Sequence, residues 1–357
     1  MDAQPIWDEP ARGGYTELYD FLNKPGLELL QGFFNGDRLP PPIHYLTGLT
    51  FVSAAPNTAT FTMPVTDWLL APQGVVSGST LSLLVDGPLG CAVQTTMPAA
   101  IPYTTAEMSV SYIRPVFPGT TLTATGRAIH SGRTVGLADA TVLDGQQRLV
   151  AVAGTRCVTL PRLQADPASV EPPARPVEPD WPTPHPFERE ARGEALPRDI
   201  WTRSSGLEIL RGHIAGELPA PPIAHLCGVR PRSAEQGATT WSMPASEWLC
   251  SPVRGRLYGG AIAYLAGTAI DGAVQSVVRA GTGFAPVDLK VYFLRPVPPD
   301  GRDLVATGTV THRGRTIAVG SSEVRDADGK VVATAVGSAM LLPGRPLFFE
   351  AGPDSQS

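Results

Sequence analysis

Asp86 is the residue best placed to do chemistry, because it lies alone in a long apolar segment, and Asp271 stands in the matching segment of the second half. A carboxylate buried there has its pKa raised by desolvation, whereas a nearby helix N-terminus lowers it. Either group can be a chemical centre or a polar residue satisfied by local backbone. Asp86 is followed by Gly87-Pro88, and a proline at that point is expected to break or kink a helix. The remaining reactive side chains form no recognisable constellation. Cys91, Cys157, Cys227 and Cys250 have no CxxC or Cys/His ligand spacing and read as buried free thiols of a cytoplasmic protein. The six histidines form neither HxxxH nor HExxH, so no metal site is expected.

The elements that carry these acids occur twice. GLELLQGFFNG at 26–36 matches GLEILRGHIAG at 206–216, and Met63-Pro64 and Trp68-Leu69 match Met243-Pro244 and Trp248-Leu249 at the same offset of 180. One inserted residue before Gly255 shifts the offset to 181. SYIRPVFPG at 111–119 then matches YFLRPVPPDG at 292–301, which is one residue longer, and HSGRT at 130–134 matches HRGRT at 312–316 at an offset of 182. A period this long marks a duplicated domain. The units are 1–161 and 201–345, joined by a Pro-rich spacer at 162–200 that should be extended and polyproline-like, with a flexible tail at 346–357.

Each unit opens with an amphipathic helix, spaced in the first by Leu27, Leu30, Phe33 and Phe34 and stopped at Gly36. A strand is predicted over Leu49–Pro64. Next comes a segment apolar on every side, Ser79–Gln94 in the first unit and Gly260–Val278 in the second, as a fully buried helix requires. Strands follow over 105–113, 120–131, 134–143 and 148–160, with Asp144-Gly145 and Asp328-Gly329 at hairpin positions. One buried helix and a long antiparallel meander imply an α+β fold in which the sheet curls around the helix.

The chain has 357 residues, 43% of them apolar and 17% charged, with a net charge of −5. Two cores are affordable at that length. No basic stripe is present, so nucleic acid is not an expected partner. The apolar stretch Leu257–Val278 carries Asp271, Gln275 and several glycines and is a poor membrane span. The first twenty residues have no basic or apolar signal regions.

The order of helix, strand, buried helix, YxRPxxxG strand and GR hairpin resembles the hotdog fold of acyl-CoA thioesterases, PaaI-type, here doubled as in the type II enzymes. The resemblance implies two tandem hotdog folds forming an intrachain pseudo-dimer. It also implies composite sites: a His-Gly-Gly loop at the start of one central helix supplies an oxyanion-binding N–H, and an acid nine residues past that His comes from the partner helix. Carried over by position, the first unit has Ser77, Gly78 and Ser79 in the loop, Asp86 as the acid and Thr105 as the strand hydroxyl. The second has Tyr258, Gly259 and Gly260 in the loop, but Gly267 and Pro286 in place of acid and hydroxyl.

One complete site would therefore pair Asp86 as base or nucleophile and Thr105 with the Gly259 N–H. Tyr258, Gly260 and Ser251 would lie nearby. The reciprocal site, Ser77-Gly78 with Gly267 and Pro286, lacks the acid and should be inactive. Asp271, one turn past the missing acid, is either a relocated carboxylate or a satisfied polar residue. Gly259-Gly260 can alternatively serve close packing. Trp68 and Trp248 either wall an acyl pocket or belong to the core. Arg133 and Arg315 either meet coenzyme A phosphates or cap hairpins. The implied activity is hydrolysis of an acyl-CoA or acyl-ACP thioester, with coenzyme A as part of the substrate, no cofactor, and possible oligomerisation of the pseudo-dimer. A non-catalytic acyl-CoA-binding sensor is the alternative. A hydratase is disfavoured because neither central helix contains His.

Overall fold

The computed structural model describes residues 4–345; the expected tail, 346–357, lies outside them. The first unit comprises α1 (Leu18–Asn23), α2 (Gly26–Gln31), α3 (Pro42–Thr47), β1 (Thr50–Ala55), β2 (Thr58–Pro64), α4 (Ser82–Gln94), β3 (Tyr103–Tyr112), β4 (Thr121–Ser131), β5 (Val135–Leu143) and β6 (Leu149–Thr159). The second repeats the order: α5 (Arg198–Arg203), α6 (Gly206–Ala215), α7 (Pro222–Cys227), β7 (Arg230–Glu235), β8 (Ala238–Pro244), α8 (Gly259–Ser276), β9 (Gly283–Phe293), β10 (Asp303–Arg313), β11 (Ile317–Arg325) and β12 (Val331–Leu342).

All twelve strands form one antiparallel sheet, ordered β1-β2-β4-β5-β6-β3-β9-β12-β11-β10-β8-β7. Read from either edge, the order is the same in repeat terms. The halves join where β3 pairs β9, with Ser109 opposite Lys290 and Glu107 opposite Tyr292. The Lys290 ammonium reaches the Glu107 carboxylate across this seam at 3.5 Å. Each half-sheet wraps its own helix: α4 packs on β2, β4 and β5, α8 packs on β8, β10 and β11, and the two helices touch. This is a double hotdog. Among the described residues no helix is long and apolar enough to cross a membrane.

Two glycines set how closely each helix meets its sheet. A Cβ at Gly126 would lie 2.1 Å from the Pro88 carbonyl oxygen, and one at Gly308 would lie 2.0 Å from that of Ala269. Only hydrogen fits there. This contact also bears on the expected break at Pro88, because α4 runs through the proline to Gln94. Boxed between the sheet and α8, the helix has no space in which to unwind, and burial offsets the lost backbone hydrogen bond.

Two local expectations are corrected. The strand predicted over Leu49–Pro64 is a hairpin, turned at Asn57, whose φ is +65°. Asn tolerates this left-handed geometry. The opening helix of the first unit ends at Gln31 rather than running to Gly36, whereas its counterpart extends to Ala215. The longer helix has a capping box, Ser205 with Glu208. Pro25 occupies the equivalent position in the first unit and offers no side-chain cap.

The duplication also includes a leading arm. Ala11-Arg12-Gly13 and Ala191-Arg192-Gly193 lie 180 residues apart, each after a 3-10 turn, Ile6–Asp8 and Pro186–Glu188. The second arm begins inside the stretch read as spacer. Each arm lies on the opposite unit. Trp248 donates its indole N–H to the Glu9 carbonyl at 2.9 Å, and Trp68 donates to the Arg189 carbonyl at 2.8 Å. Both indoles are almost completely buried. Trp68 and Trp248 therefore anchor the exchanged arms.

Candidate active site

The start of α8 faces the middle of α4. Asp86 reaches across the interface, and its Oδ2 accepts the Gly260 N–H at 2.9 Å. The Gly259 N–H also bonds this carboxylate. A Cβ on Gly259 would lie 2.9 Å from Oδ2, so the residue has to be glycine for the approach to occur. Burial pushes the Asp86 carboxyl up to about 6, against the opposing effect of the two amides. Cys91 and Tyr103 are close enough for the Asp86 charge to raise their own pKa values further. The Tyr258 side chain, at the loop-His position, is buried over Gly87; a Cβ there would lie 3.1 Å from the phenol oxygen. Thr105 stands at a bulge in β3 and bonds the Cys157 thiol, which also feels the Asp86 charge.

The pseudo-symmetric end is built from the same positions with exchanged residues. Here the 3-10 turn Gly78–Leu81 leads into α4 and faces α8. Ser79 replaces Gly260 and Gly267 replaces Asp86, so the acid–glycine contact of one end becomes a serine–glycine contact at the other. A Cβ on Gly267 would lie 2.6 Å from the Ser79 Cβ. A side chain at position 267 would therefore collide with Ser79. Asp271, four residues on and therefore on the same helix face, reaches the loop instead, accepting from Ser79 Oγ at 3.4 Å. The Ser79 hydroxyl is 2.9 Å from that of Ser77, which is 2.8 Å from that of Thr80. Burial pushes the Asp271 carboxyl up to about 7, partly offset by Ser79.

A cavity of about 700 Å³ opens at this second end, lined by Ser77, Gly78, Ser79, Tyr112, Asp271 and Pro286 among others. Its position follows from one exchange. Tyr258 covers Gly87 at the first end. At the second, Ser77 leaves uncovered the equivalent residue, Thr268, which lines the cavity. Asp86 does not line it.

The other expected residues form no described hydrogen bond with Asp86 or Asp271. Ser251 closes a local turn, its hydroxyl donating to the Arg256 carbonyl at 3.2 Å. Arg133 and Arg315 are exposed at the β4–β5 and β10–β11 hairpins. Asp271 was visible in the sequence as a lone carboxylate in an apolar helix. Its contact with Ser79 was not, because it joins residues 192 positions apart.

Fold and site geometry together define a double hotdog with composite acid–amide ends. The model of the thioesterase superfamily matches residues 73–151 and again 254–333. The acyl-coenzyme A thioesterase PaaI of Escherichia coli K12 is 30% identical over 105 residues, covering 29% of this chain and 73% of that protein. Among solved structures, a candidate thioesterase of Novosphingobium aromaticivorans aligns over 82% of this chain and 98% of its own, with a TM-score of 0.51 and 16% identity. The tesB protein of Mycobacterium avium subspecies paratuberculosis aligns over 85% and 98%, with a TM-score of 0.50 and 12% identity. These two likenesses establish the fold alone. The chain belongs to the thioesterase superfamily and is a thioester hydrolase.

Proposed function

We propose that the protein hydrolyses acyl-CoA thioesters and that Asp86, with the Gly259 and Gly260 amides, forms a reactive centre. The observation that carries this reading is the 2.9 Å hydrogen bond from Gly260 N–H to Asp86 Oδ2, between the two units. A contact of this kind is what a composite thioester-cleaving site needs. Amides at a helix start, aimed at a carboxylate oxygen, are also aimed at where an oxyanion would develop. On binding, the substrate carbonyl oxygen takes the amides. The displaced carboxylate then attacks the carbonyl carbon or removes the proton of the water that does. The oxyanion collapses, the C–S bond breaks and the thiolate leaves. With water as nucleophile the thiolate takes the proton held by Asp86; with Asp86 as nucleophile a water molecule then cleaves the acyl–Asp86 anhydride, its proton passes to the thiolate and the carboxylate is regenerated. Coenzyme A as the carrier is supported by the relative at 30% identity, an acyl-coenzyme A thioesterase.

The test is thiol release from a panel of acyl-CoAs. Asp86→Asn should lower the part of kcat carried by this centre by about 10²–10⁴-fold while circular dichroism remains unchanged. The working form is ionised, so kcat/KM attributable to this centre should fall as the pH drops below about 6. Full turnover by the Asn variant would remove Asp86 from the mechanism.

A further inference from the structure

We propose that the Ser77–Ser79 end is a second hydrolytic site, with Asp271 as its general base. It rests on the thioester chemistry of the family but not on Asp86. Three observations converge there. The cavity is large enough for an acyl chain and the arm that carries it, within the usual size range of small-molecule sites. The amides of Gly78 and Ser79, which begin the turn leading into α4, donate to no other group among the described residues. At the first end the corresponding amides are held by Asp86. The Asp271 carboxylate lines the cavity beside the Ser79 hydroxyl.

The exchanges between the ends work together. Ser79 excludes a side chain from position 267, the acid moves one helical turn to 271, and Ser77 in place of Tyr258 leaves the space open. A random loss of the site would give no reason for an acid to reappear on the same helix face, in contact with the same loop. Much of the remaining wall is apolar, including Leu81, Ile223 and Phe284; Arg114 is also present, as are Arg230 and Arg232, both of which pair with Asp303. Apolar surface suits an acyl chain, and arginines suit the phosphates of its carrier.

The step balances with water as the only co-reactant. Asp271 takes one proton from a water molecule while the water oxygen bonds the thioester carbonyl carbon, and the Gly78 and Ser79 amides hold the oxyanion. Collapse breaks the C–S bond, and the proton on Asp271 passes to the departing thiolate. The products are a carboxylic acid and a free thiol. The side-chain hydroxyls of Ser77 and Ser79 position the water.

The experiment compares wild type, Asp86→Asn, Asp271→Asn, the double Asn variant and Ala285→Trp, with acyl-CoAs as substrates. Ala285 lines the cavity from β9 and is partly exposed, so tryptophan would fill the space. Asp86→Asn should retain measurable hydrolysis that rises with pH through about 7, the value to which burial pushes Asp271. Adding Asp271→Asn should lower this residual rate by at least about 100-fold. Ala285→Trp in the Asp86→Asn background should have the same effect. The proposal is overturned if Asp86→Asn has no residual activity, or if the folded double variant is as fast as Asp86→Asn. Failure of the Asp86 reading gives a different pattern: full activity in Asp86→Asn and its loss in Asp271→Asn.

Discussion

At the residue scale, the two ends differ mainly in what stands at three paired positions: Tyr258 and Ser77, Gly260 and Ser79, Asp86 and Gly267. Tyr258 is decisive for access because its ring fills the space over Gly87 next to the acid. Tyr258→Ser should therefore open the Asp86 end. Its expected signature is a several-fold increase in the kcat/KM component that falls below about pH 6, measured in an Asp271→Asn background. An unchanged component would show that the phenol does not limit entry. Of the remaining sequence candidates, Trp68 and Trp248 hold the arms, Ser251 closes a local turn, and Arg133 and Arg315 are exposed at hairpins. Their spacing within the repeat was readable, but a residue preserved in register through a duplication can serve packing as well as chemistry.

At the element scale, a central helix can carry an acid only where the facing loop leaves room. Restoring the missing family acid by Gly267→Asp places a Cβ 2.6 Å from the Ser79 Cβ, between two packed elements. This overpacking should destabilise the fold by about 1–3 kcal/mol, measured as a lowered denaturation midpoint, and should lower hydrolysis at the Asp271 end. Adding Ser79→Gly should recover much of the stability. No recovery would mean that strain elsewhere, and not the Ser79 contact, excludes the acid. The uninterrupted course of α4 through Pro88 belongs to the same scale. Local propensity favours a break, but the sheet packed at Gly126 leaves the chain no other path.

At the scale of the whole molecule, three devices join the halves: the β3–β9 seam, the α4–α8 contact and the exchanged arms. The spacer between Glu171 and Asp180 is almost wholly exposed and carries no helix or strand, so it adds little to that union. A protease nick there should leave both fragments in one particle by size exclusion, with hydrolysis retained. Separation into two species would mean that the covalent connection holds the pair. The sequence by itself determined the duplication, the α+β hotdog order and a carboxylate in each apolar helix, because periodicity and composition are local properties of the chain. Tertiary structure alone decided which unit each arm clasps, that Asp86 lies on the Gly259-Gly260 amides, and that Asp271 meets Ser79 beside an open cavity. Each of these joins residues more than 120 positions apart, and whether space remains between them depends on the fit of one packed side chain against another.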